Sequence, residues 1–339
     1  MNYEYKKIIS IVLILSLISI PTIGIAQKPF FQNTSNSFSE HYEYVIITDE
    51  SLSHVFQRLI DYKSQFITSR LITLDKILQN QTYPGIDTQE KIRSFITYAF
   101  NNWNTKYVLL GGDVSIIPER RLHAEMIDWK GYTKISEIPS DMYYGCLGGS
   151  WDNDNDYIFG ETKYDSISDE ADLIAEVYIG RAPVENSFEA SVFVNKVISF
   201  ETSEKPNKIT LHQSGLNPEN NPSSNKLIDI FAKWIPRNEF SIESLYSVLY
   251  NITADDWISS INDGRLIIQH AGNGAEQQYD LDNINDNEVW TFQDVKRLRN
   301  TFYPIHLSLS CFSGDFTLND CIAEKMLLFP YGGTSACIF

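Results

Sequence analysis

From residue 42 onward, short unbroken apolar runs alternate with longer stretches in which apolar side chains recur every three or four positions. "YEYVIIT" (42–48) and "KYVLLGGD" (106–113) are such runs, each ending in polar or glycine residues, as strands buried on both faces do. Between them, "SHVFQRLIDYKSQF" places Val55, Leu59 and Ile60 at helical spacing, "SRLITL" is strand-like, and "TQEKIRSFITYAF" (88–100) presents Ile92, Phe95, Ile96 and Phe100 on one helical face. "VYIGRAPV" reads as a further strand and "SFEASVFVNKVISFE" (187–201) as an amphipathic helix. The second half repeats the plan. Strands are expected at "KITLHQS", "RLIIQH" and "PIHLSLS", and helices at "NKLIDIFAKWI", "ADDWISSIN", "TFQDVKRLR" and "LNDCIAEKMLLF". This alternation predicts an α/β protein with mostly parallel sheets covered by helices.

Two places break the rhythm. Residues 114–177 form a long irregular excursion rich in aromatic and acidic side chains, and "TSEKPNK" (202–208) is the best internal boundary. The expected organisation is a first α/β subdomain over 42–203, carrying the excursion, and a second over 204–339. The terminal "GGTSACIF" reads as a strand in which the chain stops, the pattern of a domain cut short. At the other end, Lys6 and Lys7 precede an apolar run from Ile8 to Ile20, then Pro21 and Gly24-Ile25-Ala26. That layout predicts a secretory signal over 1–26, a flexible lead-in over 27–41, and a secreted, extracellular product. The run is shorter than the ~20 residues a spanning helix needs, so no membrane association is expected after cleavage.

Composition narrows the partners. The 339 residues carry a formal charge of −17, and losing Glu4, Lys6 and Lys7 with the signal would take it to −18. So acidic a surface, with no basic patch, argues against nucleic acid and anionic lipid. The four cysteines, Cys146, Cys311, Cys321 and Cys337, are too few and too scattered for a disulfide framework or a zinc site, although one disulfide fits an oxidising compartment. "LLGGD" lacks the spacing of a nucleotide-binding glycine motif.

The chemistry gathers at two strand ends. "HLSLSCFSGDF" puts Cys311 directly after a strand, and "LIIQHAGNGAEQQ" (266–278) breaks from strand into a glycine loop. Parallel sheets place their chemistry at these carboxyl ends, where a thiol is accessible and turn amides can face a developing oxyanion. A histidine partner would have to come from the second loop, where His270 is the only one. His306 shares the strand of Cys311 but, five residues away, points to the opposite face.

The stretches "YVLLGGDVSIIPERR", "SDMYYGCLGGSWDNDNDYIFGE", "DLIAEVYIGRAPV", "GRLIIQHAGNGAEQQYDL" and "LSCFSGDFTLNDCIAEKMLLFPYGGTSA" resemble, in order, the gingipain-type cysteine peptidases, family C25 of the caspase-like clan. The resemblance implies a caspase-like α/β fold of two side-by-side subdomains and hydrolysis of a protein or peptide substrate. It implies that Cys311 is the nucleophile, and that the Cys311 and Gly274 amides form the oxyanion hole. The family's catalytic histidine sits in a Gly-His-Gly triplet, whereas this chain reads Gly272-Asn273-Gly274. Asparagine cannot take up or release a proton near neutral pH. An ordinary thiol without a nearby imidazolium is only a few per cent ionised at pH 7. Three readings stay open: an inert relative serving as a binding or scaffolding module, an active enzyme in which His270 swings in, or a base from elsewhere. The region comparable to the family's specificity pocket, "SGLNPENNPSSNK", puts no clear acid in register, so arginine or lysine preference is not implied.

A second site is expected in the excursion. "WDNDNDYIFGE" spaces Asp152, Asp154 and Asp156 at alternate positions, with the Ile158 carbonyl in reach and Glu161 beyond. Oxygens at positions one, three, five and seven of a loop suit Ca2+, although Tyr157 and Lys163 depart from the EF-hand pattern. The resemblance places a similar acidic segment here and implies a structural role for the ion.

Overall fold

The computed structural model describes residues 40–127, 132–161, 169–214, 226–246, 251–281, 288–317 and 320–339. The signal, most of the lead-in, Lys163 and most of the "SGLNPENNPSSNK" stretch lie outside them. The chain forms two compact units, one of Phe38–Thr202 with Gly314–Pro330, the other containing Ser203–Ser313 and Tyr331–Phe339.

In the first unit β1 (Tyr44–Thr48), α1 (Glu50–Lys63), β2 (Ser69–Thr73), α2 (Leu74–Gln79), α3 (Thr88–Trp103) and β3 (Tyr107–Gly111) follow one another closely. The antiparallel ribbon of β4 (Arg120–Ile127) and β5 (Thr133–Ser140), α4 (Met142–Gly145), β6 (Tyr178–Ala182) and α5 (Ser187–Thr202) complete its first segment. Its main sheet has the order β2-β1-β3-β6 and is parallel throughout. Local chemistry starts the helices where the sequence predicts them. The Asp49 carboxylate accepts from the Leu52 amide at 3.0 Å and Asp87 from the Glu90 amide at 2.8 Å, satisfying N–H groups that the first turn leaves unpaired. Ile92, Phe95, Ile96 and Ala99 of α3 pack with Val45, Ile47, Val108 and Leu110 of the sheet in one core.

The excursion is more ordered than its sequence predicts. The outer strand of the ribbon, β5, is exposed over most of its length, so neither of its faces carries an apolar signal. One buried arginine ties the excursion to the sheet. Arg181 forms a two-pronged pair with Asp141 at 2.7 Å and donates to the Gly112 and Ile117 carbonyls.

The second unit runs through β7 (Lys208–Gln213), α6 (Lys226–Trp234), β8 (Ser241–Tyr246), α7 (Ala254–Asn262), β9 (Ile267–Ala271), β10 (Gly274–Ala275), β11 (Gln278–Asp280), β12 (Val289–Thr291), α8 (Phe292–Val295) and β13 (Ile305–Leu309). The chain then makes α9 (Ile322–Leu328) and ends with β14 (Ala336–Ile338). The five-stranded sheet has the order β14-β13-β9-β7-β8, again parallel, and β10, β11 and β12 form a small antiparallel sheet within what reads as a polar loop. "ADDWISSIN" is helical from end to end, opened by a reciprocal Thr253–Asp256 capping box. "TFQDVKRLR" gives only the four residues of α8.

One boundary differs from expectation. α9 was assigned to the second subdomain but belongs to the first unit. There the buried Lys196 ammonium donates to the Met326 and Leu327 carbonyls at 3.1 and 2.8 Å, satisfying the negative end of the helix.

Candidate active site

Strands β9 and β13 are parallel neighbours in register from Ile267–Ile305 to Ala271–Leu309, so their carboxyl ends emerge side by side. The Gly272 amide donates to the Leu309 carbonyl at 3.1 Å, and the Ser214 amide, beyond β7, donates to the Ala271 carbonyl at 2.9 Å. Three strand ends thus meet at one edge of the unit. The loop after β9 runs directly against the turn after β13. A Cβ on Gly274 would lie 2.8 Å from Ser310 Cβ and 3.0 Å from the Cys311 carbonyl oxygen, so only glycine allows this approach. Cys311 and Gly274, brought together in expectation, are neighbours in the fold.

Cys311 is exposed at the start of a tight turn whose next residue, Phe312, has φ +57°. A bulky side chain rarely adopts this left-handed conformation, and such strain gathers at functional turns. The other thiols differ in kind. Cys146 and Cys321 are buried, and burial pushes the Cys146 thiol up to about 11 and Cys321 higher still. Cys337 is half-buried 3.2 Å from the Thr334 hydroxyl, and all four cysteines are free, so the disulfide that the compartment would permit is not formed.

His270 lies in the core. It has no solvent exposure and is stacked between His212, 5.3 Å away, and Tyr279, 4.0 Å away. Its Nε2 is 2.9 Å from the Asp280 carbonyl and its Nδ1 is 3.0 Å from the Ser308 hydroxyl. A carbonyl can only accept, so Nε2 carries the proton and Nδ1 accepts from Ser308. Burial, then the neighbouring His212, holds the imidazole neutral well below its usual range. Serving Cys311 would require it to break two hydrogen bonds and leave a stacked core position. His306, set aside on parity, is also fully buried, and both of its ring nitrogens lack a partner.

Asn273 is the residue that the resemblance sets in the place of the family's histidine. It is exposed on the hairpin of β10 and β11, its carbonyl accepts from the Asp280 amide at 3.0 Å, and its side chain hydrogen-bonds the Asp280 carboxylate. Burial raises the Asp280 carboxyl, and Asn273 opposes that shift. No local pattern singles out Asp280, and none assigns a role to Ser308, Ser310 or Ser313. The one visible signal is the alternation of Ser308 and Ser310 in "HLSLSCFS".

The acidic loop belongs to the first unit. Asp152, Asp154 and Asp156 each offer an oxygen within 4.8 Å of the others. The Asp152 carboxylate accepts from the Asp156 and Tyr157 amides, and Asn155 and Tyr157 have φ of 63° and 70°. Ile158 follows on the same loop, its amide bonded to Asp156. Glu161 is shifted up by desolvation and then by Asp156, with Asp154 and Asp169 adding to it. Converging carboxylates of this kind fit a hard cation. Asp169, absent from the expected set, clasps the loop by accepting from the Asn153, Gly160 and Glu161 amides at 2.6, 2.7 and 3.0 Å.

Comparison with known proteins agrees with this architecture. The arginine-specific cysteine proteinase gingipain R superposes with a TM-score of 0.62 at 19% identity, covering 88% of this chain and 62% of that one. The RgpB pro- and mature-domain complex of Porphyromonas gingivalis gives 0.61 at 18% identity, covering 88% and 63%. A structure described only as a protease gives 0.64 at 14% identity, covering 87% and 58%. The chain therefore shares the caspase-like fold of gingipain while spanning less than two thirds of these proteins. No curated protein matches its sequence. The model of peptidase family C25 matches residues 37–339, and the chain belongs to that family.

Proposed function

We propose that this is an exported C25 domain that engages peptide segments at Cys311 but lacks the proton carrier needed to hydrolyse them efficiently. The carrying observation is the double loss of an imidazole. Asn273 stands where the family's histidine belongs, and His270 commits both nitrogens to the core.

In the family's reaction the thiol sulfur bonds to the peptide carbonyl carbon, and the carbonyl becomes an oxyanion beside the Cys311 and Gly274 amides. The thiol proton must leave, and the departing amine must gain one. An amide at position 273 does neither. Removing one member of such a unit costs a factor of about 10⁴ in rate. A peptide aldehyde makes no such demand. Its hemithioacetal forms one S–C bond, the thiol proton ends on the carbonyl oxygen, and nothing leaves.

The leader layout of residues 1–26 supports export. The convergence of Asp152, Asp154 and Asp156, with the Ile158 carbonyl and Glu161 as further ligands, supports Ca2+ as a brace for the excursion. The test is a thiol-directed peptidyl inactivator applied to wild type, Cys311→Ala, Asn273→His and His270→Ala. Labelling of Cys311 only after Asn273→His supports a substrate-engaging, turnover-deficient domain. Rapid wild-type labelling that disappears in His270→Ala establishes an active enzyme using that histidine.

A further inference from the structure

His270 sits at the centre of a hydrogen-bond chain that reaches both halves of the site. On one side its Nε2 donates to the Asp280 carbonyl at 2.9 Å, and Asp280 holds Asn273 through both its amide and its carboxylate. On the other side Ser308 donates to Nδ1 at 3.0 Å, Ser308 and Ser310 hydroxyls lie 2.9 Å apart, and the Ser310 and Ser313 hydroxyls are in short contact. The Ser313 hydroxyl also donates to the Ser310 carbonyl at 3.1 Å. Ser310 and Ser313 bracket Cys311 in sequence.

Because Nδ1 has no proton, the hydroxyl protons can point toward the imidazole from Ser310 to Ser308 to His270, while Ser313 gives its own proton to the Ser310 carbonyl and closes the turn. Aligned chains of this kind strengthen cooperatively in a dry interior. Ser308 is 4% exposed, and Ser313 and His270 not at all. One imidazole therefore fixes the hairpin carrying Asn273 and Gly274 through one nitrogen, and the Cys311 turn through the other.

We propose that His270 is a positioning residue, a clamp that holds the Gly274 and Cys311 amides in register. It governs peptide engagement at Cys311 without touching the thiol. The inference rests on the peptide-engaging reading of that site. It reassigns His270 from proton transfer to the geometry of the oxyanion cradle, and makes Ser308 and Ser310 members of the same device.

The chemistry of asparagine and glutamine allows each end to be cut separately. In His270→Asn the amide oxygen stands near Nδ1 and still accepts from Ser308, but the Asp280 bond is lost. In His270→Gln the amide nitrogen stands near Nε2 and still donates to Asp280, but the Ser308 bond is lost. The probe is a panel of acetyl-dipeptidyl aldehydes with basic, apolar or small terminal residues. Affinity is read as protection of Cys311 from iodoacetamide.

Ser308→Ala, His270→Asn and His270→Gln should each weaken aldehyde binding tenfold or more, while the unprotected iodoacetamide rate stays within threefold. Ser308→Ala combined with His270→Gln should be no worse than either single change, since both cut the same end. Ser308→Ala combined with His270→Asn should lose the product of the two single effects. Equal behaviour of the two pairs, or aldehyde affinity unchanged within threefold in Ser308→Ala, overturns the clamp. If wild type binds none of the aldehydes, the peptide-engaging reading falls instead. Amide hydrogen exchange then tests the clamp: Ser308→Ala must release Cys311, His270→Asn must release Asn273, and failure of either overturns it.

Discussion

Acid should loosen the second unit through its buried histidines, and His306→Leu should remove a defined part of the effect. His212, His270 and His306 have no solvent exposure and are packed among Trp257, Tyr279 and Phe339. Burial pushes His212 down to about 4 and His306 to about 3, and His270 moves in the same direction. A depressed folded value means that the unfolded chain binds more protons below pH 6.5. Stability is therefore complete above that value and is lost as pH falls from 6.5 toward 3 or 4. At pH 5.0, about 1.5 units below the unfolded value, each of His212 and His306 costs about 2 kcal/mol. Glu324, pushed up to about 7 by burial, works in the opposite direction, so wild-type acid sensitivity alone does not isolate the histidines. The variant difference does. Both nitrogens of His306 lack partners, so leucine of similar volume relieves two orphaned polar groups, and the relief grows on protonation. Urea unfolding at pH 7.5 and 5.0 is the assay. The stability advantage of His306→Leu should be about 2 kcal/mol larger at pH 5.0 than at pH 7.5. An advantage that does not change with pH would refute the reasoning.

Two further outcomes follow from the geometry. Gly274→Ala places a methyl 2.8 Å from Ser310 Cβ, so the loop and the Cys311 turn must part. We expect at least a tenfold loss of peptide-aldehyde affinity and a destabilisation of about 1–3 kcal/mol, read by denaturant midpoint. If the acidic loop holds Ca2+, chelation should lower the melting temperature of wild type and speed proteolysis within 141–177, and both effects should vanish in a combined Asp152→Asn, Asp154→Asn variant. A chelator effect that persists in that variant would place the ion elsewhere.

Much of the architecture was legible because parallel strands buried on both faces leave continuous apolar runs. "YEYVIIT", "KYVLLGGD" and "RLIIQH" each became a strand of a parallel sheet. The same property hid the setting of His270. Every residue of β9 is buried, so alternation along the strand could not reveal which side chains face the core. What fixes this imidazole comes from His212, Tyr279, Asp280 and Ser308, on three other strands, and no local pattern announces that meeting. The ribbon of β4 and β5 was missed for the opposite reason, since an exposed strand need not alternate. Asp169 acts on backbone amides of Asn153, Gly160 and Glu161, so no ligand spacing points to it. The adjacency of Gly274 and Cys311, by contrast, followed from two strand ends and one glycine.

Whether the site is assembled but short of a proton carrier is decided by Asn273→His. The Asp280 carboxyl, which interacts with the Asn273 side chain, is the acidic neighbour that an imidazole at 273 would meet. Labelling of Cys311 by a peptidyl inactivator should then accelerate by about 10³-fold or more over wild type and vanish in Asn273→His with Cys311→Ala. Wild type that already labels rapidly, and loses that reactivity in His270→Ala, would contradict the account.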